Sequence, residues 1–246
     1  MRFALIHGGA HGAWCFSKLI PELTARGHRA VAVNLPCKDD DAGTAQYARV
    51  VIDSLAAHPE PVVLVAHSLG GLTAPLVAAV RPVQLMIFIA AFLPVPGQSM
   101  NDQRRCEPTM MLPYHGGVPG LRDRFYNMCS ATDADWAMAR LRRQALKPFT
   151  EVTPLREWPS VPSAYVVCTE DHACNPAWAR HAARERLGVE PAELAGSDHS
   201  PFLSRPAELA DLLVSLATAH HDPSARHDPS QVSAAPAGPD PDPAPQ

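Results

Sequence analysis

Short apolar runs alternate with helical patterns along most of this chain. The clearest run is 61–66, which reads PVVLVA and is nearly all apolar and rich in β-branched residues. Runs of this kind suit parallel strands that are buried on both faces. Their alternation with helices therefore predicts an α/β fold, with a mostly parallel sheet and helices on both faces. The predicted strands are 3–6, 30–33, 61–66, 85–90, 163–168 and 191–195, and the predicted helices are 15–26, 43–57, 69–80, 176–186 and 206–218.

Two stretches depart from this alternation. Residues 94–157 mix prolines, methionines, aromatic residues and helical patterns such as 133–146. We expect a helical lid inserted over the sheet; the alternative is a second full domain, for which about 60 residues is small. Residues 219–246 hold seven of the 26 prolines and a single large aliphatic residue. Because this stretch has too little apolar surface to offset its ordering entropy, we predict a disordered Pro/Asp/Ala-rich tail after an α/β domain of residues 1–218.

The composition disfavours several classes of protein. The 246 residues carry 21 Lys and Arg against 25 Asp and Glu, so the chain has no basic excess for binding nucleic acid. No apolar run approaches the roughly 20 residues that span a bilayer, and the apolar stretch at the start is too short for a signal peptide. The six cysteines are scattered, which we interpret as reduced thiols of a cytoplasmic protein. Cys168, His172 and Cys174 fit no structural zinc pattern, so we expect no metal site.

The strongest local motif is AHSLGG at 66–71, between a predicted buried strand and a predicted helix. A serine in this position occupies a sharp turn that exposes its hydroxyl at the carboxyl end of the sheet. The usual pattern is G-x-S-x-G, from which Ala66 departs by one methyl group. The pattern predicts that Ser68 is a nucleophile and that the N–H of Leu69 donates to the oxyanion; the alternative is a serine that caps an ordinary helix.

A serine nucleophile needs a base, and the base needs an orienting acid. His199 lies in a loop after the last predicted strand, where the chain order Ser…Asp…His places the base. The alternative is a loop histidine that caps a helix. Asp171 and Glu170 both follow the strand 163–168 directly, and we favour Asp171 as the acid. Asp198 is adjacent to His199 in sequence, which makes pairing of their side chains awkward.

A glycine-rich loop, HGGAHG at 7–12, follows the first predicted strand. A second oxyanion donor is expected in such an early strand–helix loop, where glycines let the backbone approach a ligand closely. The competing interpretation is a dinucleotide-binding loop. The spacing is not G-x-G-x-x-G, and the next strand ends in Val33-Asn34-Leu35 without the expected acid. We therefore expect no nucleotide cofactor, and no other cofactor.

In these motifs the chain resembles α/β-hydrolase fold proteins, and more narrowly the group of plant methylesterases, plant hydroxynitrile lyases and small bacterial esterases. The resemblance spans about residues 3–216 and rests on HGGAHGAW at 7–14, AHSLGG at 66–71, AAFLPVPGQS at 90–99, YVVCTED at 165–171 and GSDHSPFLSRP at 196–206. It implies a triad of Ser68, Asp171 and His199, and the N–H of Gly9 as the second oxyanion donor. Trp14 is expected to pack beneath the glycine-rich loop.

The resemblance also separates two activities within that group. The lyases resemble each other in having a threonine in the first turn and a lysine directly after the catalytic histidine. This chain has Gly8 and Ser200 at those positions, so ester hydrolysis is expected rather than cyanide release. Related hydrolases that open epoxides or displace halide use an aspartate nucleophile, which Ser68 disfavours.

The sequence thus predicts a serine hydrolase that cleaves carboxylic esters of small or medium organic acids through an acyl-enzyme. The alternatives are a thioesterase, lactonase or cyclase of a biosynthetic pathway that uses the same triad, and a non-catalytic ligand-binding protein of the same fold. The expected partner is a small-molecule ester, with no nucleic acid and no membrane, and the oligomeric state is left open. Candidate pocket residues are Ala10, Phe92, Tyr114, Trp136 and Phe202, with Met110, Met111 and Phe125 as further lid candidates.

Overall fold

A computed structural model describes residues 1–114 and 116–220 of the chain. Its centre is a six-stranded sheet in the order β2-β1-β3-β4-β5-β6, and every neighbouring pair is parallel. The predicted α/β fold with a parallel sheet is therefore confirmed. The strands are β1 (Arg2–Ile6), β2 (Arg29–Val33), β3 (Val62–His67), β4 (Val83–Ile89), β5 (Ser163–Cys168) and β6 (Ala192–Leu194).

Ten α-helices lie within the described part of the chain. They are α1 (Leu19–Ala25), α2 (Thr44–Ser54), α3 (Ala74–Ala78), α4 (Met100–Cys106), α5 (Gly117–Tyr126), α6 (Ala131–Met138), α7 (Lys147–Thr150), α8 (Pro176–Leu187), α9 (Pro201–Ser204) and α10 (Pro206–Ala219). Three 3₁₀ turns accompany them, at Ala13–Ser17, Ser68–Leu72 and Pro108–Met110. No helix among the described residues is both long enough and apolar enough to cross a membrane.

Two predicted helices begin later than expected, and proline explains both. The expected helix 15–26 becomes the 3₁₀ turn Ala13–Ser17 followed by α1, and 69–80 becomes Ser68–Leu72 followed by α3. A proline has no N–H and its ring clashes with the carbonyl four residues before it, so it is tolerated only in the first turn of an α-helix. Pro21 and Pro75 both occupy the first turn of the helices that form.

The predicted helix 133–146 is wrong in its second half, because α6 ends at Met138. Beyond it the backbone bonds to other segments instead of to its own preceding turn. The N–H of Arg142 donates to the Ala10 carbonyl at 2.7 Å, and the N–H of Ala145 donates to the Cys37 carbonyl at 2.7 Å. These bonds fasten the stretch to the loops that follow β1 and β2.

The core is the sheet with helices on both sides. All six residues of β3 and all six of β5 are buried, which requires cover on both faces of the sheet. Helix α1 packs against α10, α2 packs against α3, and α8 packs against β5. The residues 94–157, which we predicted to form a lid, carry α4 to α7 between β4 and β5. Of the predicted tail 219–246, all but the first two residues lie outside the described part of the chain.

Candidate active site

The predicted nucleophile stands where β3 ends. Ser68 has φ of +51°, a left-handed conformation that costs a non-glycine residue energy and occurs at tight functional turns. The turn requires small neighbours. A Cβ on Gly70 would lie 2.7 Å from the carbonyl oxygen of His7, and a Cβ on Gly71 would lie 2.3 Å from that of Phe92. The glycines of the AHSLGG motif are therefore needed because two other loops pass directly over it.

Three of the predicted residues meet at the carboxyl edge of the sheet. His199 Nε2 lies 2.9 Å from Ser68 Oγ, and His199 Nδ1 lies 2.7 Å from Asp171 Oδ2. All three side chains are buried. The other carboxylate oxygen, Asp171 Oδ1, accepts the N–H groups of Ala173 at 2.6 Å and Cys174 at 2.9 Å. The carboxylate is thereby fixed in one orientation toward His199.

The other two acids considered for the orienting role are placed elsewhere. The side chain of Glu170 is exposed and its only partner among the described residues is the hydroxyl of Thr169, at 3.3 Å. Asp198 is fully buried, but its Oδ1 accepts the N–H of Ser200 at 3.0 Å and the hydroxyl of Ser204 at 2.7 Å. Asp198 therefore stabilises the turn that carries His199 rather than its imidazole.

Two buried histidines of the glycine-rich loop are held neutral. His7 Nδ1 donates to the Gly8 carbonyl at 2.8 Å, while its Nε2 accepts the Leu35 N–H at 3.0 Å. His11 Nδ1 likewise donates to the Gly9 carbonyl at 2.8 Å, while its Nε2 faces the Tyr126 hydroxyl at 2.9 Å. Burial lowers the pKa of His7 to about 3 and that of His11 to about 4.

A third buried histidine, His67, contacts His199 directly. Its Nε2 donates to the main-chain carbonyl of His199 at 2.8 Å, and the two ring centroids are 4.6 Å apart. Burial, and then the neighbouring histidines, lower the pKa of His67 well below its usual value. A neutral His67 places no positive charge beside the imidazolium that His199 would form.

The two predicted oxyanion donors, Gly9 and Leu69, border the same cavity as Ser68. The residue after Gly9 is strained: Ala10 has φ of +61° and its N–H donates to Gln144 Oε1 at 3.1 Å. Gln144 is in turn held by Tyr47, whose hydroxyl accepts from Gln144 Nε2 at 3.1 Å. Gln144 thus binds the N–H of Ala10, the residue that follows Gly9 in the glycine-rich loop.

The cavity beside Ser68 has a volume of about 210 Å³ and is mainly apolar. Of the five predicted pocket residues, Ala10 and Phe92 line it, and so do the lid candidates Met111 and Phe125. Five further lining residues belong to no motif and were not predicted. Four of them lie between β4 and β5, namely Leu121, Arg124, Gln144 and Phe149, and the fifth, Ala173, follows β5.

The other three predicted pocket residues, and Met110, lie elsewhere. Tyr114 is 51% exposed, and its hydroxyl donates to the Gly117 carbonyl on the outer surface. Trp136 packs edge-on against Trp14, which in turn stacks on His11 of the glycine-rich loop. Phe202 is fully buried behind the site, against Phe16 and His67, and Met110 is a buried core residue. The prediction failed because aromatic side chains near a site serve its walls and its core equally well.

No arrangement of three or more His, Cys, Asp or Glu side chains suited to a metal ion occurs among residues 1–114 and 116–220. The hydroxyl of Ser68, the imidazole of His199 and the carboxylate of Asp171 form a hydrogen-bonded row, an arrangement that can generate a nucleophile by proton transfer.

Known proteins resemble this chain over most of its length. The alpha/beta hydrolase family profile matches residues 3–212. The probable esterase PIR7A of Oryza sativa subsp. indica is 31% identical over 253 aligned positions, covering 87% of this chain and 96% of its own. Salicylic acid-binding protein 2 of Nicotiana tabacum is 31% identical, with the same coverage of 87% and 96%. The crystal structure of polyneuridine aldehyde esterase is similar with a TM-score of 0.75 and 25% identity, covering 88% of this chain and 98% of that one. This chain belongs to the alpha/beta hydrolase family.

Proposed function

We propose that the protein is a serine esterase whose triad is Ser68, His199 and Asp171. The observation that carries this proposal is the unbroken line from Ser68 Oγ to His199 Nε2 at 2.9 Å and from His199 Nδ1 to Asp171 Oδ2 at 2.7 Å, beside an apolar cavity. The relatives named as esterases support the same reaction class.

In the first half of the reaction His199 removes the proton of Ser68 as Oγ attacks the ester carbonyl. Asp171 keeps the Nδ1 proton in place and stabilises the imidazolium that forms. The N–H groups of Gly9 and Leu69 donate to the oxyanion; loss of one such donor costs about 3–4 kcal/mol in comparable sites. The imidazolium then protonates the departing alcohol, which leaves the acyl group on Ser68.

In the second half, His199 activates a water molecule that attacks the acyl-enzyme. The same oxyanion donors serve this step, and collapse of the intermediate returns the proton to Ser68 and releases the acid. Because the cavity is about 210 Å³ and mostly apolar, we propose esters of small or medium organic acids as substrates.

Hydrolysis is favoured over cyanide release by two local features. A Cβ on Gly8 would lie 2.8 Å from both Ser68 Cβ and His67 Nδ1, so this turn is built without the side chain that the lyases carry there. The residue after His199 is Ser200, a buried hydroxyl that offers no positive charge to a leaving anion. An ester needs no such cation, because the imidazolium protonates its leaving group.

Active-site labelling tests the proposal. The wild-type protein is treated with a fluorophosphonate and its intact mass is recorded, alongside turnover of p-nitrophenyl acetate. Ser68→Ala is compared with Ser54→Ala, a control at an exposed serine of α2. We expect one adduct and full turnover in wild type and in the Ser54 variant, and neither in the Ser68 variant. Labelling of folded Ser68→Ala, or the absence of labelling in folded wild type, contradicts the proposal. A panel of esters, thioesters and lactones then identifies the preferred bond.

We also propose that the protein works in the cytoplasm. All six cysteines are free, and four of them, Cys15, Cys37, Cys168 and Cys174, are buried thiols. Free thiols persist in a reducing compartment. Titration of the denatured protein, purified without reductant, is expected to give six thiols; a lower count would indicate an oxidising environment.

A further inference from the structure

A buried positive charge borders the cavity beside Ser68. Arg124 of α5 is only 8% exposed, and it lines that cavity together with Met111 and Phe125. Arginine keeps its charge in proteins, and a buried arginine is almost always paired with an acid. Among residues 1–114 and 116–220, no carboxylate oxygen lies within 4.0 Å of a nitrogen of Arg124.

The acid whose charge acts on Arg124 already has other partners. Asp171 attracts the Arg124 charge. Its Oδ1, however, accepts the N–H groups of Ala173 and Cys174, and its Oδ2 faces His199. Both oxygens of Asp171 therefore have other partners, so they are not available for a bidentate ion pair with the guanidinium of Arg124. Within the described residues, the charge of Arg124 is therefore left without an ion-pair partner in a largely apolar wall.

The hydrogen bonds of Arg124 leave most of its donors free. Nη1 donates to the Leu112 carbonyl at 3.0 Å, and Nη2 makes a long bond of 3.4 Å to the Ala173 carbonyl. A guanidinium has five N–H groups, so these two bonds hold the side chain in place and leave others for a ligand. The ring of Tyr114 lies 5.7 Å from Cζ and covers another side of the guanidinium.

A second cavity meets the first at this arginine. It has a volume of about 560 Å³, and it shares Met111 and Arg124 with the cavity beside Ser68. Arg104 and Arg105 line it as well. Arg105 is paired with Asp102, whereas Arg104 has no ion pair within the described part of the chain. The surface that leads away from the site at Arg124 is therefore positively charged.

We propose that Arg124 binds an anionic oxygen group of the substrate, so that the esters cleaved at Ser68 carry a carboxylate or a phosphate remote from the scissile bond. This inference rests on the proposed esterase function and specifies its substrate class. The apolar wall of Phe125 and Met111 contacts the chain between the two groups, and the guanidinium binds the anion at its end.

Matched esters test this directly. Monomethyl and dimethyl esters of linear dicarboxylic acids with four to ten carbons differ at neutral pH by one charge and one methyl group. We expect kcat/KM of wild type to favour the monoanion at one chain length by roughly tenfold to a hundredfold, the range of a hydrogen-bonded charge, after correction for the two ester groups of the diester. Methyl esters that end in a phosphate, compared in the same way, distinguish the two anions.

Substitutions of Arg124 show whether its side chain binds the substrate or only holds the surrounding loops in place. Arg124→Met should lower kcat/KM for the monoanion roughly tenfold more than for the dimethyl ester of the same length, whereas Arg124→Lys should retain part of the preference for the anion. Arg122→Met is the matched control on the same helix, because Arg122 pairs with Asp135 outside the cavity. Equal losses on charged and neutral esters would mean that Arg124 only braces the loops, and the proposal would be wrong.

A second measurement does not depend on how the variant folds. Free dicarboxylates of the preferred length should inhibit wild type competitively at least tenfold better than the corresponding diamides. No difference between them, or no preference for any monoanion in a wild type that turns over the dimethyl esters, overturns the assignment of Arg124. Failure of the esterase function itself is recognised separately, because Ser68 would then not react with a fluorophosphonate.

Discussion

Replacing Asp171 by asparagine exchanges one oxygen for an NH₂ group and should reverse the hydrogen bonding of His199, the base of the proposed triad. The Oδ1 position accepts the N–H groups of Ala173 at 2.6 Å and Cys174 at 2.9 Å, so only a carbonyl oxygen fits there. The NH₂ group of the asparagine must then occupy the position of Oδ2, which is 2.7 Å from His199 Nδ1. Because NH₂ only donates, Nδ1 must accept, and the imidazole proton moves to Nε2.

This tautomer cannot act as a base. Nε2 would carry a hydrogen toward Ser68 Oγ, which lies 2.9 Å away, and could no longer accept the hydroxyl proton. A reversed tautomer in a comparable triad lowers kcat about 10⁴-fold, which corresponds to about 5 kcal/mol of transition-state stabilisation. We expect the same size of effect in Asp171→Asn, with little change in KM.

The assay is turnover of p-nitrophenyl acetate by Asp171→Asn, with Glu170→Gln as the control at the adjacent exposed acid. The kcat of the control should stay within about twofold of the wild-type value. A difference of that size is far smaller than the effect expected for Asp171→Asn. Thermal unfolding and near-UV circular dichroism of each variant show that the fold is intact. An asparagine variant that retains more than a tenth of the wild-type kcat would refute the role assigned to Asp171.

Three further outcomes follow from contacts around the site. His11 has a pKa of about 4 in the folded state, below its unfolded value, so its imidazole gains a proton in the unfolded state alone between pH 7 and pH 5. Over this range the free energy of unfolding of wild type should therefore fall by about 2 kcal/mol more than that of His11→Gln, as measured by urea unfolding at each pH. An equal pH dependence in the two proteins would contradict this. Gly70→Ala brings a Cβ to 2.7 Å from the His7 carbonyl oxygen, so it should lower the free energy of unfolding by about 1–3 kcal/mol and abolish fluorophosphonate labelling; normal labelling would show that the turn tolerates a side chain. Gln144→Leu frees the Ala10 N–H and should lower kcat about tenfold with KM nearly unchanged, as expected for one hydrogen bond that orients the oxyanion loop; an effect on KM alone would assign Gln144 to substrate binding.

Four of the six strands, β1, β3, β4 and β5, could be predicted from the sequence because they are runs of mainly buried apolar residues. The predicted strand 163–168 coincides with β5, and that of 61–66 differs from β3 by one residue at each end. Helix starts were less predictable, since a proline inside an apolar pattern moves the start without changing the pattern. Pro21 and Pro75 would have given the correct starts if the clash with the carbonyl four residues before them had been considered.

Some residues of the candidate site could be predicted from local motifs and others could not. Ser68, Asp171 and His199 each follow a strand in a short motif, and parallel strands bring their carboxyl ends to one edge of the sheet, so local sequence was sufficient to place them together. Gln144 and Arg124 have no motif. They reach the cavity because the segment between β4 and β5 is tied to the loops after β1 and β2, through bonds such as that of the Arg142 N–H to Ala10. Such contacts between distant segments leave no periodic signal in the sequence.

The central claim is that Ser68 carries the acyl group during turnover. The most direct test is to mix the enzyme with excess p-nitrophenyl ester, quench in acid within milliseconds and map the added mass by peptide mass spectrometry. We predict an acyl adduct on the peptide that contains Ser68, formed together with the burst of p-nitrophenol and absent in Ser68→Ala. Turnover with no adduct, or with the adduct on another nucleophile such as the exposed Cys106, would contradict the account.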